Sequence, residues 1–290
     1  MKNIGDIKHS MRAISDTEQI TKAMHLISTS KMKKAISNYE KNRYHFDHVQ
    51  AGLKDILAHT TELSHPYVKH SEGGSAAFVV IAADKGLCGG YNHNVLNFAL
   101  SEMKKNKQQY ILTVGQEARA FFERKGYMID VEFLHIAQNP SLYNARNITN
   151  DILELYDTGV MEEVYVVYTK FYSPLKQEPQ IIQLLPVEES NFEEIETEYK
   201  YTADLSFHPS VKEVFDRMVP QYIVGLMYGC LVQAYASEHS ARMTAMENAT
   251  QNADEMMGKL SMEYNRARQF NITNEISEIV GAMEALSDTF

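Results

Sequence analysis

Between Ile4 and Ile56 one stripe of positions returns in alternate steps of three and four. It runs through Ile4, Ile7, Met11, Ile14, Glu18, Thr21, His25, Ser28, Met32, Ala35, Tyr39, Asn42, Phe46, Val49, Leu53 and Ile56. Such a spacing is a heptad seam, apolar at both ends and polar or small in the middle. Residues 3–58 hold no proline, and their only glycines are Gly5 and Gly52. An unbroken helix of that length spans ~84 Å. A helix so long needs a partner along its length, and the C-terminal part of the chain has the matching pattern. A second seam steps through Val232, Ala236, His239, Met243, Met246, Thr250, Ala253, Met257, Leu260, Tyr264 and Ala267. The stripe then shifts to Ile272, Ile276, Ile279, Met283 and Leu286, as a stutter would shift it. Ala241, Ala245 and Ala249, small residues four apart, permit close helix approach. Two terminal helices of this length pair most simply as an antiparallel coiled coil, with the middle of the chain folded at one end.

That middle changes period. AAFVVIAA (76–83), QYILTVG (109–115), DVEFLHIA (130–137), EEVYVVYTKF (162–171) and QIIQLLP (180–186) read as strands. Helical patterns fill 91–106, 116–125 and 141–158. Strands alternating with helices predict a mostly parallel α/β sheet. The turn SPLKQEP (173–179) makes the last two strands an antiparallel pair, and SHPYVKHSEGGS (64–75) reads as a linker. The expected class is α plus α/β. It has an N-terminal coiled-coil helix over 1–60, a Rossmann-like domain over 76–205 and a C-terminal coiled-coil helix over 209–286.

Charge adds to this picture. The formal net charge is −10, yet Ile20–Arg43 carries +5 through Lys22, Lys31, Lys33, Lys34, Lys41 and Arg43 against Glu40. Val187–Asp204 carries −6. A basic helix in an acidic chain suits an acidic partner or nucleic acid, or is only a solvated face. No apolar run approaches the ~18 residues of a membrane span. The beginning MKNIGDIKHSMRAIS has no signal core, so a soluble protein made where it works is expected. Cys88 and Cys230 show no pairing pattern and fit a reducing compartment. The 15 methionines suggest adaptable packing surfaces or core gap-filling.

One loop invites a chemical reading. AADKGLCGGYN (82–92) follows a strand and precedes a helix, the shape of a phosphate cradle. No Gly-Lys-Ser/Thr triplet follows it, and Gly86, Gly89 and Gly90 miss the dinucleotide-binding spacing. A structural turn is the favoured reading. Cys88 has no His or Asp pattern that would make it a nucleophile. His45 and His48, with His59, His65 and His70, lack the Cys or carboxylate cluster a metal site needs. No catalytic, cofactor or metal residue is therefore assigned, and a mechanical or scaffolding part is expected. Two other readings remain in view. A nucleotide-binding α/β enzyme with helical arms would need a phosphate motif. A nucleic-acid-binding coiled coil using Lys31–Lys34 would bind duplex with steep salt dependence.

ITKAMHLISTSKMKKA (20–35), DKGLCGGYN (84–92) and ENATQNADEMMGKLSMEYNRARQFNITNEISEIVGAMEAL (247–286) closely resemble the gamma subunits of F-type ATP synthases. The resemblance covers essentially the whole chain, in the family's order. Lys85 stands where the family commonly has Arg, and Met283 where a second glycine is more usual. The resemblance implies a rotating central shaft that carries no catalytic site and binds no nucleotide or nucleic acid itself. Its partners would be the alpha and beta subunits of the catalytic hexamer, the epsilon subunit and the membrane c-ring. It would couple proton flow to ATP synthesis or hydrolysis at the cytoplasmic face of a bacterial plasma membrane. Met24 in TKAM would lie at the bearing, and Ile20 and Ile27 on the same outward face. Arg268 and Gln269 in RARQ would touch the beta subunits, and Arg242 in ARMTAM matches a further family motif. No cysteine-bearing insertion is present, so no thiol switch is expected.

Overall fold

The computed structural model describes residues 3–59, 65–68, 75–103, 108–187, 208 and 210–287. Its elements are α1 (Ile4–His59), β1 (Ser75–Ile81), α2 (Tyr91–Met103), β2 (Gln108–Val114), α3 (Gln116–Arg124), β3 (Val131–Phe133), α4 (Leu142–Asp157), β4 (Glu163–Ser173), β5 (Lys176–Leu185) and α5 (Val211–Ser287). The chain divides into two compact units, 1–27 with 243–290, and 28–242.

In the larger unit the sheet runs β3-β2-β1-β4-β5. The pairs β1–β2, β2–β3 and β1–β4 are parallel, and β4–β5 is antiparallel. β1 reads as an unbroken apolar run because both its faces are covered. Ala77, Val79 and Ile81 pack with Ile148 and Ile152 of α4, Leu53 and Ile56 of α1, and Phe215, Ile223 and Met227 of α5. Ala76, Phe78 and Val80 pack with Val95, Leu96 and Ala99 of α2 and Phe122 of α3. The lower parts of the two long helices thus belong to the core of the α/β unit.

Within this unit α1 and α5 run antiparallel and very close. A Cβ added at Gly225 would lie 2.5 Å from the Phe46 ring, and one at Gly52 would lie 2.7 Å from Met218 Cε. Gly229 faces Tyr39. Residues rising along α1 therefore meet residues falling along α5. In the smaller unit, described by itself, Ile7 and Thr21 of α1 and Met246, Ala253 and Ala267 of α5 are buried. The hydroxyls of Thr21 and Thr250 lie 2.7 Å apart. A polar seam position is therefore satisfied by a polar partner, as a buried hydroxyl requires.

Three sequence expectations change. DVEFLHIA forms a strand only at Val131–Phe133. His135 takes a left-handed backbone, φ 62°, which ends the extended run. β5 starts at Lys176 rather than Gln180 and contains Pro179, tolerated because β5 is an edge strand. The described part of the supposed linker is packed, not loose. His65 is buried, its Nε2 lies 2.6 Å from Asp216, and Tyr67 accepts the Val187 N–H at its carbonyl. The acidic stretch 188–204 lies outside the described residues.

Candidate functional site

An open α/β sheet binds ligands outside the carboxyl ends of its strands, where the strand order reverses. Here the reversal falls between β1 and β4. The glycine loop leaves β1 at this point, and the β4–β5 hairpin lies beside it. The crevice is filled by α5. The Ser237 hydroxyl donates to the Thr169 carbonyl at 3.1 Å, and that of Ser240 to the Pro174 carbonyl at 3.0 Å. Gln177 Nε2 of the hairpin donates to Ser240 Oγ at 3.2 Å.

Arg242 completes the plug. Its guanidinium donates to Glu238 Oε1 at 2.7 Å and to the carbonyls of Lys85 and Gly86 at 3.2 Å each. It also lies 3.3 Å from His239 Nδ1. Burial, then the cations Arg242 and Lys31, hold His239 down to about 3, so its ring is neutral and Nδ1 accepts. Burial pushes Glu238 up, and Arg242 pulls it back. A buried cation is held here by a carboxylate and by loop carbonyls together, the arrangement that a desolvated charge needs.

The loop itself is built as a turn. Leu87 and Gly89 have φ of 61° and 58°, and glycine adopts that conformation without Cβ strain. Gly86 and Gly90 flank it, Gly86 with open space where a Cβ would stand. Asn92 Oδ1 accepts from the Ala83 N–H at 3.0 Å, and Asn92 Nδ2 lies 3.4 Å from Cys88 Sγ. Asp84 Oδ1 accepts from the Gln116 N–H at 3.1 Å, which ties the loop to the start of α3. Cys88 is buried, and burial raises its thiol against the opposing pull of Arg242. A raised thiol is a poor nucleophile.

The remaining singled-out residues sit elsewhere. Ile20 and Ile27 are 59% and 54% exposed, while Met24 is half-buried. Arg268 and Gln269 are exposed on α5. Arg242 is apart from this group, because its head is committed inside the α/β unit. Glu238, Ser237 and Ser240 were not singled out from the sequence, although Glu238 and Arg242 at i, i+4 were a visible pair signal. Among the described residues no His, Cys, Asp and Glu group could hold a metal, and no helix is long and apolar enough to cross a membrane. His48 turns its Nδ1 to the Tyr44 carbonyl, and His65 pairs with Asp216.

The C-terminal stripe has a distinct setting. Arg268–Gly281 is exposed at every position, Ile272, Ile276 and Ile279 included. The last buried seam residue of α5 is Ala267, and α1 begins at Ile4. Among the described residues, none covers Ile272, Ile276, Ile279 or Met283.

The family model described as ATP synthase matches residues 3–286. An ATP synthase gamma chain of Ruminiclostridium cellulolyticum is 45% identical over 290 residues, covering 98% of this chain and 99% of its own length. That of Alkaliphilus metalliredigens is 40% identical, covering 97% and 98%. The fold is similar to a chain of the Euglena gracilis mitochondrial ATP synthase solved with its c-ring, with a TM-score of 0.67 and 18% identity over 98% of this chain and 94% of that one. Full-length matches of this kind, on a chain of two long helices around a plugged α/β unit, make it a member of the ATP synthase gamma chain family.

Proposed function

We propose that this chain is the non-catalytic central shaft of an F-type ATP synthase. It turns inside the ring of alpha and beta subunits and transmits rotation between the membrane c-ring and the beta-subunit sites. In this reading it works with the epsilon subunit at the cytoplasmic face of a bacterial plasma membrane. The observation that carries it is the helix beyond Ala267. An apolar stripe of Ile272, Ile276 and Ile279 on a single exposed helix must be covered by something, and a sleeve of surrounding subunits covers it from all sides.

Three further features support the reading. The crevice where an α/β sheet would hold a nucleotide is occupied by Arg242 and its neighbours, which suits a coupling part without chemistry of its own. Ile20 and Ile27 are exposed on α1, and with Met24 they form the proposed bearing face. Arg268 and Gln269 open the exposed stretch and form the proposed contact with the beta subunits. Residues 1–60, 76–205 and 209–286 are the proposed working parts of shaft, head and shaft.

Cross-linking tests this directly. Cysteine is placed singly at Met24, Gln269 or Ile276 in an assembled complex whose beta subunits carry a cysteine at their inner surface. Disulfide formation should join gamma to beta at each position and stop ATP hydrolysis, and reductant should restore it. Cross-links that form without slowing hydrolysis would sink the shaft assignment.

A further inference from the structure

A polar recess lies between α1 and α5 beside the loop that follows β3. Lys31, Lys34 and Asn38 stand at i, i+3 and i+7 on α1, hence on one stripe. Tyr228 and Tyr235 of α5 face them, and Asn139 closes a third side. The recess is half open to solvent, with a volume of about 190 Å³.

The walls are fixed. Asn139 lies in the loop leaving the carboxyl end of β3, with its N–H bonded to the Ile136 carbonyl at 3.1 Å and its own carbonyl accepting from Asn144 Nδ2 at 2.9 Å. Ala35 and Val232 are buried at the base. Lys31, Lys34, Asn38 and Asn139 are solvent-exposed, and Lys31 is near enough to Glu238 and His239 to pull the pKa of both down. Among the described residues Lys31 and Lys34 make no ion pair, and the side-chain amides of Asn38 and Asn139 have no hydrogen-bond partner. The Tyr235 hydroxyl also has none, although the residue is only 8% exposed. Burial raises the Tyr235 phenol, so it stays protonated and able to donate. Among the described residues no carboxylate lines the recess. Glu238, one turn further along α5, is buried and bound to Arg242.

We propose that this recess is a binding site for a small tetrahedral oxyanion, inorganic phosphate, held by Lys31, Lys34, Tyr235 and the two amides. Two ammonium groups, a buried phenol and two amides supply donors on three sides, and charge-assisted donors are the strong ones. The volume equals about six waters at ~30 Å³ each, enough for phosphate with part of its hydration shell. A loop at the carboxyl end of a parallel strand is where α/β folds present such donors. The proposal does not depend on the shaft assignment.

The test is a phosphate titration of the full-length chain at constant ionic strength, with chloride as the replaced anion. Phosphorus-31 line broadening reads binding, and thermal unfolding reads linked stabilisation. Saturable binding on the order of 1 mM is expected. Tyr235→Phe, which keeps the ring and removes only the hydroxyl, should weaken it about tenfold. Lys34→Gln should weaken it at least as much. Lys33→Gln, exposed on the same helix but outside the recess, should bind like wild type. Three results would overturn the site: no broadening at roughly 10 mM phosphate, undiminished binding in both recess variants, or equal losses in Lys33→Gln and Lys34→Gln.

Discussion

Arg242→Met removes the plug between α5 and the glycine loop while keeping most of the side-chain volume. Four contacts go with it: Glu238 at 2.7 Å, the carbonyls of Lys85 and Gly86 at 3.2 Å, and His239 Nδ1 at 3.3 Å. Both ends of the ion pair are buried, with side chains 8% and 9% exposed. Breaking one partner of such a pair costs about 3–5 kcal/mol, because the other charge is left without compensation. A loss of ~4 kcal/mol is roughly a thousandfold in the unfolding equilibrium. The loss also depends on pH. Burial already raises Glu238 above its usual range, and Arg242 is the main group opposing that rise. Without Arg242 the folded pKa climbs further. A carboxyl raised on folding favours the folded state below its unfolded pKa, and that contribution is lost as pH rises towards its folded value. The variant should therefore lose more stability at pH 8 than at pH 5. Urea unfolding of the full-length chain, followed by near-ultraviolet circular dichroism of its tyrosines, measures both quantities. Arg242→Met/Glu238→Leu should recover part of the loss by removing the stranded carboxyl. A loss under about 1 kcal/mol, equal at both pH values, would show that Arg242 is a surface residue in solution.

Gly115→Ala should lower the melting temperature sharply, since φ is 96° and the new Cβ would meet the Ala82 carbonyl oxygen at an impossible approach; calorimetry showing less than about 1 kcal/mol lost would refute the close packing. Leu53→Ala empties a fully buried position beneath the sheet and should cost about 2–5 kcal/mol in a denaturant titration. Ile276→Asp should leave the unfolding of the isolated chain unchanged, because the residue is exposed there, yet reduce ATP-driven proton pumping per ATP hydrolysed in the assembled complex. Cys88 and Cys230 are both buried with thiols raised by burial, so a native-state thiol titration should proceed at the rate of opening, and replacing both with serine should leave the complex indifferent to reductant.

Periodicity is a local property, and what depended on it was legible along the chain. On α1 every predicted seam position from Ile4 to Ile56 is buried or half-buried, and the α5 seam is covered as far as Ala267. The helices at Tyr91, Gln116 and Leu142 begin within a residue of their expected starts, because turn residues precede apolar repeats there. Other properties rest on pairs far apart in sequence, which no local pattern encodes. Arg242 reaches Lys85 across 157 residues, so ARMTAM could be recognised as a motif without revealing where its guanidinium goes. His65 and Asp216 meet across 151 residues and turn an apparent linker into a packed crossing. The stripe from Ile272 to Met283 was visible as an apolar surface, but its exposure was not. An apolar face is buried only where a partner exists, and tertiary structure decided this: among the described residues, none packs on the stretch of α5 from Arg268 to Gly281.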